Sequence, residues 1–179
     1  MQRVALFVDG ANMFYAQKLN GWFIDWKEFY QLFTDNRDVY GAFYFTATPK
    51  AGDAEKIKKY RKFRGFLIYN GYNVIDKELQ EIRNESGEVV RLKGNLDIEL
   101  VFRMLTGAHQ YDEAIVVGCD VDYVPIVQHL RNIGKNVTIV GRRKSTTIEL
   151  VNSCDKYIDL ESIRERVERR QTGGRELTK

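Results

Sequence analysis

One short plan occurs twice in this chain, and it constrains the fold more than any other feature. A continuous apolar run ends in acid, and helical spacing follows at once. Residues 114–117 (Ala-Ile-Val-Val) show no polar alternation, so they read as a strand buried on both faces. Gly118 ends that run, and Asp120 and Asp122 follow. Beyond Tyr123, the residues Ile126, Leu130 and Ile133 fall on one helical face as far as Gly134. Pro125 stands in the first turn, where its missing N–H costs nothing. The plan recurs at residues 4–8 (Val-Ala-Leu-Phe-Val), which run into Asp9-Gly10-Ala11-Asn12 and then a helix from Met13. Each copy has a plain reading on its own: Asp122 or Asn12 caps a helix, and Asp9 and Gly10 form a turn. Two copies in one sheet say more. Carboxylates at strand ends converge on the edge where open α/β sheets bind ligands, and close anions call for a cation.

The rest of the chain supplies the alternation such a sheet needs. Residues 25–33 read as a short helix capped by Asp25, with Trp26, Phe29 and Phe33 inward. Residues 39–47 are an aromatic-rich strand closed by Thr48-Pro49. Residues 53–69 form a long helix with Ile57, Tyr60 and Leu67 on its core face, ended by Gly71. Its outer face carries Lys56, Lys58, Lys59 and Lys62, which is either a solvated face or a phosphate-contacting one. Residues 72–75 are a strand. Residues 77–93 alternate as a β-hairpin turning at Asn84-Glu85-Ser86-Gly87, an excursion from the main sheet. A helix follows from Asp97, with Ile98, Val101, Phe102 and Leu105 as its apolar face. Residues 136–140 are another strand, followed by the cationic, hydroxyl-rich loop Gly141-Arg142-Arg143-Lys144-Ser145-Thr146-Thr147. A short helix at 148–151, a strand at 156–158 and an arginine-rich helix at 160–170 complete the chain. The expected fold is α/β: a three-layer α/β/α sandwich on a mostly parallel sheet. One domain spans 1–162, and 163–179 is a basic helix end and tail.

Composition is ordinary for a soluble domain, with 44% hydrophobic and 30% charged residues. A net charge of +3 is compatible with nucleic acid. The two cysteines, Cys119 and Cys154, match no metal knuckle, and His109 and His129 lack zinc spacing. No signal peptide or membrane-length apolar run is present, so a cytoplasmic location is expected. There is no Gly-x-x-x-x-Gly-Lys-Ser/Thr loop and no Gly-x-Gly-x-x-Gly after a strand. Ala11 holds the place where an aspartyl-nucleophile phosphatase needs its second acid. What remains is an oxygen-ligand set, Asp9, Asp97, Asp120 and Asp122, suited to Mg²⁺ or Mn²⁺ on a phosphodiester substrate.

Phe7-Val8-Asp9-Gly10-Ala11-Asn12, Lys93-Gly94 with Asp97, and Gly118-Cys119-Asp120-Val121-Asp122-Tyr123 together resemble the NYN domain. They look most like its bacterial LabA-like branch, a relative of the PIN nuclease domains. The resemblance runs from about Val4 to Leu160, through Gly134-Lys135-Asn136-Val137 and Cys154-Asp155-Lys156-Tyr157-Ile158. It implies a PIN-like sandwich and a metal-dependent endoribonuclease using Mg²⁺ or Mn²⁺. Asp9, Asp97, Asp120 and Asp122 would be the catalytic, metal-holding acids, with Asn12 beside them. RNA, single-stranded rather than duplex, would lie along Lys56, Lys58, Lys59, Lys62, Lys93, Arg142, Arg143, Lys144 and Ser145. This chain departs from the pattern in two places. Arg103 stands where many relatives carry a further Asp, and Cys119 replaces the usual Ser. Arg103 keeps a second reading open: a non-catalytic RNA- or protein-binding regulatory module with a degenerate site. The exposed aromatics also leave room for a homodimer.

Overall fold

Strand β1 (Arg3–Asp9) is the axis of the molecule. In the computed structural model, which describes residues 2–49, 52–78, 80–84, 86, 88–93 and 96–170, every side chain of β1 from Val4 to Asp9 is buried. Val4, Leu6 and Val8 enter one apolar layer, and Ala5 and Phe7 enter the other. Such period-2 sorting with no polar member is what a central parallel strand requires.

Around β1 lie β2 (Asp38–Thr48), β3 (Tyr72–Glu78), β6 (Glu113–Val117), β7 (Asn136–Gly141) and β8 (Lys156–Asp159). They form a six-stranded sheet of order β3-β2-β1-β6-β7-β8 in which every neighbouring pair is parallel. Between β3 and β6 the chain forms β4 (Gln80–Arg83) and β5 (Val89–Lys93), an antiparallel pair outside that sheet. The expected hairpin is therefore present. Its first arm starts at Gln80, because Lys77 and Glu78 still pair with β2. The turn positions 85 and 87, and Gly94 of the sequence motif, lie outside the described residues, as does the side chain of Lys93.

Helices α1 (Gly10–Asn20), α2 (Trp26–Thr34) and α3 (Ala54–Tyr69) cover one sheet face. Helices α4 (Asp97–Gly107), α5 (Val124–Asn132) and α6 (Ile148–Ser153) cover the other. Local signals set their starts. Asp25 accepts from the N–H groups of Lys27 and Glu28 and caps α2. Asp53 does the same for α3 through Lys56 N–H. Trp26, Phe29 and Phe33 turn inward as expected, with the Trp26 ring edge-on to Tyr44 and Tyr72.

Four expectations need correcting. Helix α1 starts at Gly10 rather than Met13, because Asp9 supplies the cap that Asn12 was expected to give. Ile133 is exposed at the end of α5, where the helix has already stopped at Asn132. The 160–170 segment is not one helix. Leu160–Ile163 is a 3₁₀ turn and α7 (Arg164–Val167) a single α turn, after which Glu168 bridges to Ile24. Buried Val167 accepts a 2.7 Å hydrogen bond from Asp25 N–H, which draws the backbone out of helix. The fourth correction concerns α4. Leu100 and Met104 are its buried apolar side chains, while Ile98, Phe102 and Leu105 face solvent and Val101 is half-buried. The helix carries two apolar stripes, and the sheet takes the other one. No helix among the described residues is long and apolar enough to cross a membrane.

Candidate functional site

Strand order reverses at β1 and β6. The chain leaves β1 for helices on one face and leaves β6 for helices on the other, so the loops diverge and open a crevice at the carboxyl ends of the strands. The residue plan noted in the sequence ends there in both copies. Val8 pairs with Val117, which sets Asp9 beside the Gly118–Asp122 turn.

Asp9 is buried, and protein groups meet both of its oxygens. Oδ1 accepts from Asn12 N–H at 2.9 Å, and Oδ2 accepts from the Tyr123 hydroxyl at 2.7 Å. That hydroxyl also lies 3.2 Å from Asp97 Oδ1, at the start of α4. One phenol thus bridges two carboxylates from distant segments of the sequence. Burial pushes the Asp9 carboxyl above its usual value. The hydrogen bonds from Asn12 and Tyr123 pull it back, and the charges of Asp97 and Asp120 push it up again. The Tyr123 phenol is driven far above its normal range, first by burial and then by Asp9, so it stays a neutral donor.

Asp120 accepts from Asp122 N–H at 3.0 Å and caps the 3₁₀ turn that leads into α5. The side chain of Asp122 is exposed at the mouth of the crevice. Asn12 Oδ1 accepts from Cys119 N–H at 3.1 Å, which ties the end of β1 to the end of β6. Cys119 in turn takes the Arg142 N–H on its sulfur at 3.1 Å. Burial raises its thiol, so at neutral pH it is a packing and positioning group rather than a thiolate nucleophile. Gly10 is a glycine because nothing else fits: a Cβ there would stand 2.5 Å from Tyr44 Cε1 and 2.6 Å from the Phe45 carbonyl oxygen.

The structure therefore brings Asp97 and Asp120 close to Asp9, with Asn12 bonded to it, while Asp122 is exposed on the far side of the same turn, beside Asp97. The Arg142 loop stands at the same edge. The Arg142 guanidinium reaches Asn20 at 2.6 Å and Ser145 at 3.1 Å, while Arg143 lies over the Tyr157 ring and Lys144 is exposed. The α3 lysines stand on the β2–β3 side instead. Lys56 pairs with Asp53 and Lys59 with Glu55, while Lys58 and Lys62 are exposed. Arg103 places its guanidinium 4.9 Å from the centre of the Phe43 ring, which explains how a cation is accommodated where an acid was expected.

Among the described residues, no three His, Cys, Asp or Glu side chains are arranged to hold a metal ion. The donor chemistry nonetheless suits a hard divalent cation. All candidate ligands are carboxylate oxygens, and Asp9 feels the like charge of Asp97 and Asp120. What stands here is an all-oxygen set without a closed shell. Tyr123 is the residue that sequence reasoning missed. Its one signal was a tyrosine directly behind the acidic turn, at a position the helix pattern does not need.

Comparison with known proteins follows the same boundaries. The model of the NYN domain family matches residues 3–161. The low amplitude and bright protein LabA of Synechococcus elongatus is 36% identical over 170 residues, which is 93% of this chain and 88% of that protein. A crystal structure of a protein of unknown function from Vibrio parahaemolyticus superposes with a TM-score of 0.73. That match covers 89% of this chain and 93% of the other at 22% identity, and it shows the shared fold.

Proposed function

This chain belongs to the NYN domain family, and from that premise we propose that it is a Mg²⁺- or Mn²⁺-dependent endoribonuclease acting on single-stranded RNA at the carboxylate crevice. The observation that carries the reading is the Asp9–Tyr123–Asp97 bridge, with Asp120 close enough to raise Asp9 further. Massing negative charge at a buried strand end costs stability, and a structural role alone does not call for it.

Asp9, Asp97 and Asp120 would hold the ion, and Asp122 would hold it or orient a water. The ion supplies charge stabilisation at the scissile phosphate and a more acidic bound water. The protein's own part is positional. Tyr123 donates its one proton to Asp9 at 2.7 Å and stands 3.2 Å from Asp97, which fixes the spacing of the two carboxylates. Asn12 locks the ends of β1 and β6 through Cys119 N–H. Arg142, Arg143 and Lys144 would draw the RNA backbone to the same edge.

The assay is cleavage of end-labelled single-stranded RNA with Mg²⁺ or Mn²⁺. Cleavage by the parent chain and its loss in Asp9→Asn and Asp97→Asn are expected. Cleavage that survives both substitutions overturns the assignment. One observation favours a second reading, a regulatory RNA- or protein-binding module: the cation of Arg103 stacked on Phe43 where a further acid would serve catalysis. Tight RNA binding with no cleavage under any divalent ion is the result that selects it.

A further inference from the structure

Two clefts open on either side of the short turn formed by Asp120, Val121, Asp122 and Tyr123. The first, of about 460 Å³, has Ile98, Val101, Phe102 and Leu105 of α4 as its body and Asp97 and Asp122 at its head. The second, of about 370 Å³, has Tyr15, Leu19 and Val121 as its body and Asn12, Asp120 and Ser145 at its head. The bodies are apolar and open to solvent: Ile98 is 82% exposed, Phe102 66%, and Tyr15 and Leu19 each 65%. Each cleft thus combines an exposed aromatic ring with a polar head made of the candidate site itself.

We propose that these clefts are two base-binding seats, one stacking a nucleobase against Phe102 and the other against Tyr15, so that a single RNA strand crosses the turn with one phosphodiester over the carboxylates. The proposal rests on the nuclease reading and adds to it how the substrate is held. Charge and continuity select the occupant. The stripe on α4 is the one the sheet leaves uncovered, and it runs without a break into Asp97 and Asp122. A second copy docked there about a twofold axis would bring those acids against themselves, which disfavours it. A neutral base can occupy the apolar body, and the divalent ion that the nuclease reading requires would offset the repulsion between its phosphate and the acids at the head. Adjacent residues wall the two clefts, Asp120 and Val121 on one side and Asp122 and Tyr123 on the other, so the clefts flank a single turn that one strand can cross. Paired and stacked bases of a duplex cannot enter either cleft, and this gives the strand preference a physical basis.

The test is fluorescence anisotropy of a labelled single-stranded RNA dodecamer, and of an abasic strand of equal length, with Ca²⁺ as the divalent ion. Phe102→Leu and Tyr15→Leu keep apolar bulk but lose the ring, and both sites are exposed enough for the variants to fold. Each Leu variant is expected to weaken dodecamer binding by about tenfold, within the range of base–aromatic stacking. Phe102→Tyr and Tyr15→Phe should restore it, and the abasic strand should not distinguish the variants. Leu variants that bind the dodecamer as the parent does overturn the proposal. So does an equal loss on the abasic strand, or a Phe102→Leu effect confined to sedimentation, which would make α4 a contact between copies. If the proposal fails while Asp9-dependent cleavage persists, the nuclease reading stands without it. If no variant and no parent binds or cuts RNA, both fall.

Discussion

Removing the Tyr123 hydroxyl tests the site at its most specific point. Tyr123 is fully buried, so Tyr123→Phe keeps the ring and its packing and deletes one donor. That donor is 2.7 Å from Asp9 Oδ2 and 3.2 Å from Asp97 Oδ1. A hydrogen bond to a charged group contributes roughly 1.5–3 kcal/mol net, against about 1 kcal/mol for a neutral pair. With Asp9 ionised, the variant should lose about 2 kcal/mol. In a chain of this size that lowers Tm by about 4–8 °C.

The pH dependence follows from Asp9. Its folded pKa is raised above the ordinary value, chiefly by burial. The stability it contributes is therefore fully present below the usual carboxylate range and is lost as pH rises through the folded pKa. Tyr123 lowers that pKa, so its removal raises it further and deepens the loss at neutral pH. The gap between parent and variant should be about 2 kcal/mol at neutral pH and shrink toward 1 kcal/mol in acid, where both carry protonated Asp9. Urea midpoints at several pH values, with equal m-values, measure it. The same substitution should move the acid limb of any cleavage profile to higher pH. A gap that is absent, or constant with pH, would show that the phenol does not serve an ionised Asp9.

Asp9→Asn should raise Tm at neutral pH while abolishing cleavage, because Asn caps a helix as well as Asp does and removes a charge that burial disfavours. The gain should vanish below the carboxylate range, and a lower Tm at pH 7 in a thermal scan contradicts it. Gly10→Ala should destabilise by about 1–3 kcal/mol, since the new Cβ meets the Phe45 carbonyl oxygen, which cannot move alone; a variant with parental urea midpoint refutes this. If α3 holds RNA, the double substitution Lys58→Glu and Lys62→Glu should reduce the slope of log K against log salt by about one per lost contact. An unchanged slope removes α3 from the binding surface.

The fold was legible where burial is total. The uninterrupted apolar runs of β1 and β6 read as buried parallel strands and pair as such, and their shared acid-then-helix ending pointed to one edge of the sheet. Asp25 announced α2, and alternation announced the β4–β5 pair. Tyr123 was not legible as a bridge, because its partners come from Asp9 and Asp97, distances in sequence that no local pattern spans. Helix α4 was misread for a different reason. Ile98, Val101, Phe102 and Leu105 follow helical spacing faithfully, but so do Leu100 and Met104. Periodicity finds stripes; it does not say which one the sheet will take.

That misreading is informative about the site. A helix needs one apolar stripe to pack on a sheet, and a second, left in water, opposes solubility. Here the spare stripe begins beside Asp97, whose carboxylate shares a phenol with a buried Asp9 that burial disfavours. Two costs of different kinds, exposed apolar surface and buried like charge, meet at one crevice. Of that stripe only Val101 packs against the core, and Ile98, Phe102 and Leu105 add nothing to it. The two costs make physical sense together under the proposed reading, in which a cation offsets the acids and joins them to the phosphate of a nucleotide strand whose base covers the stripe.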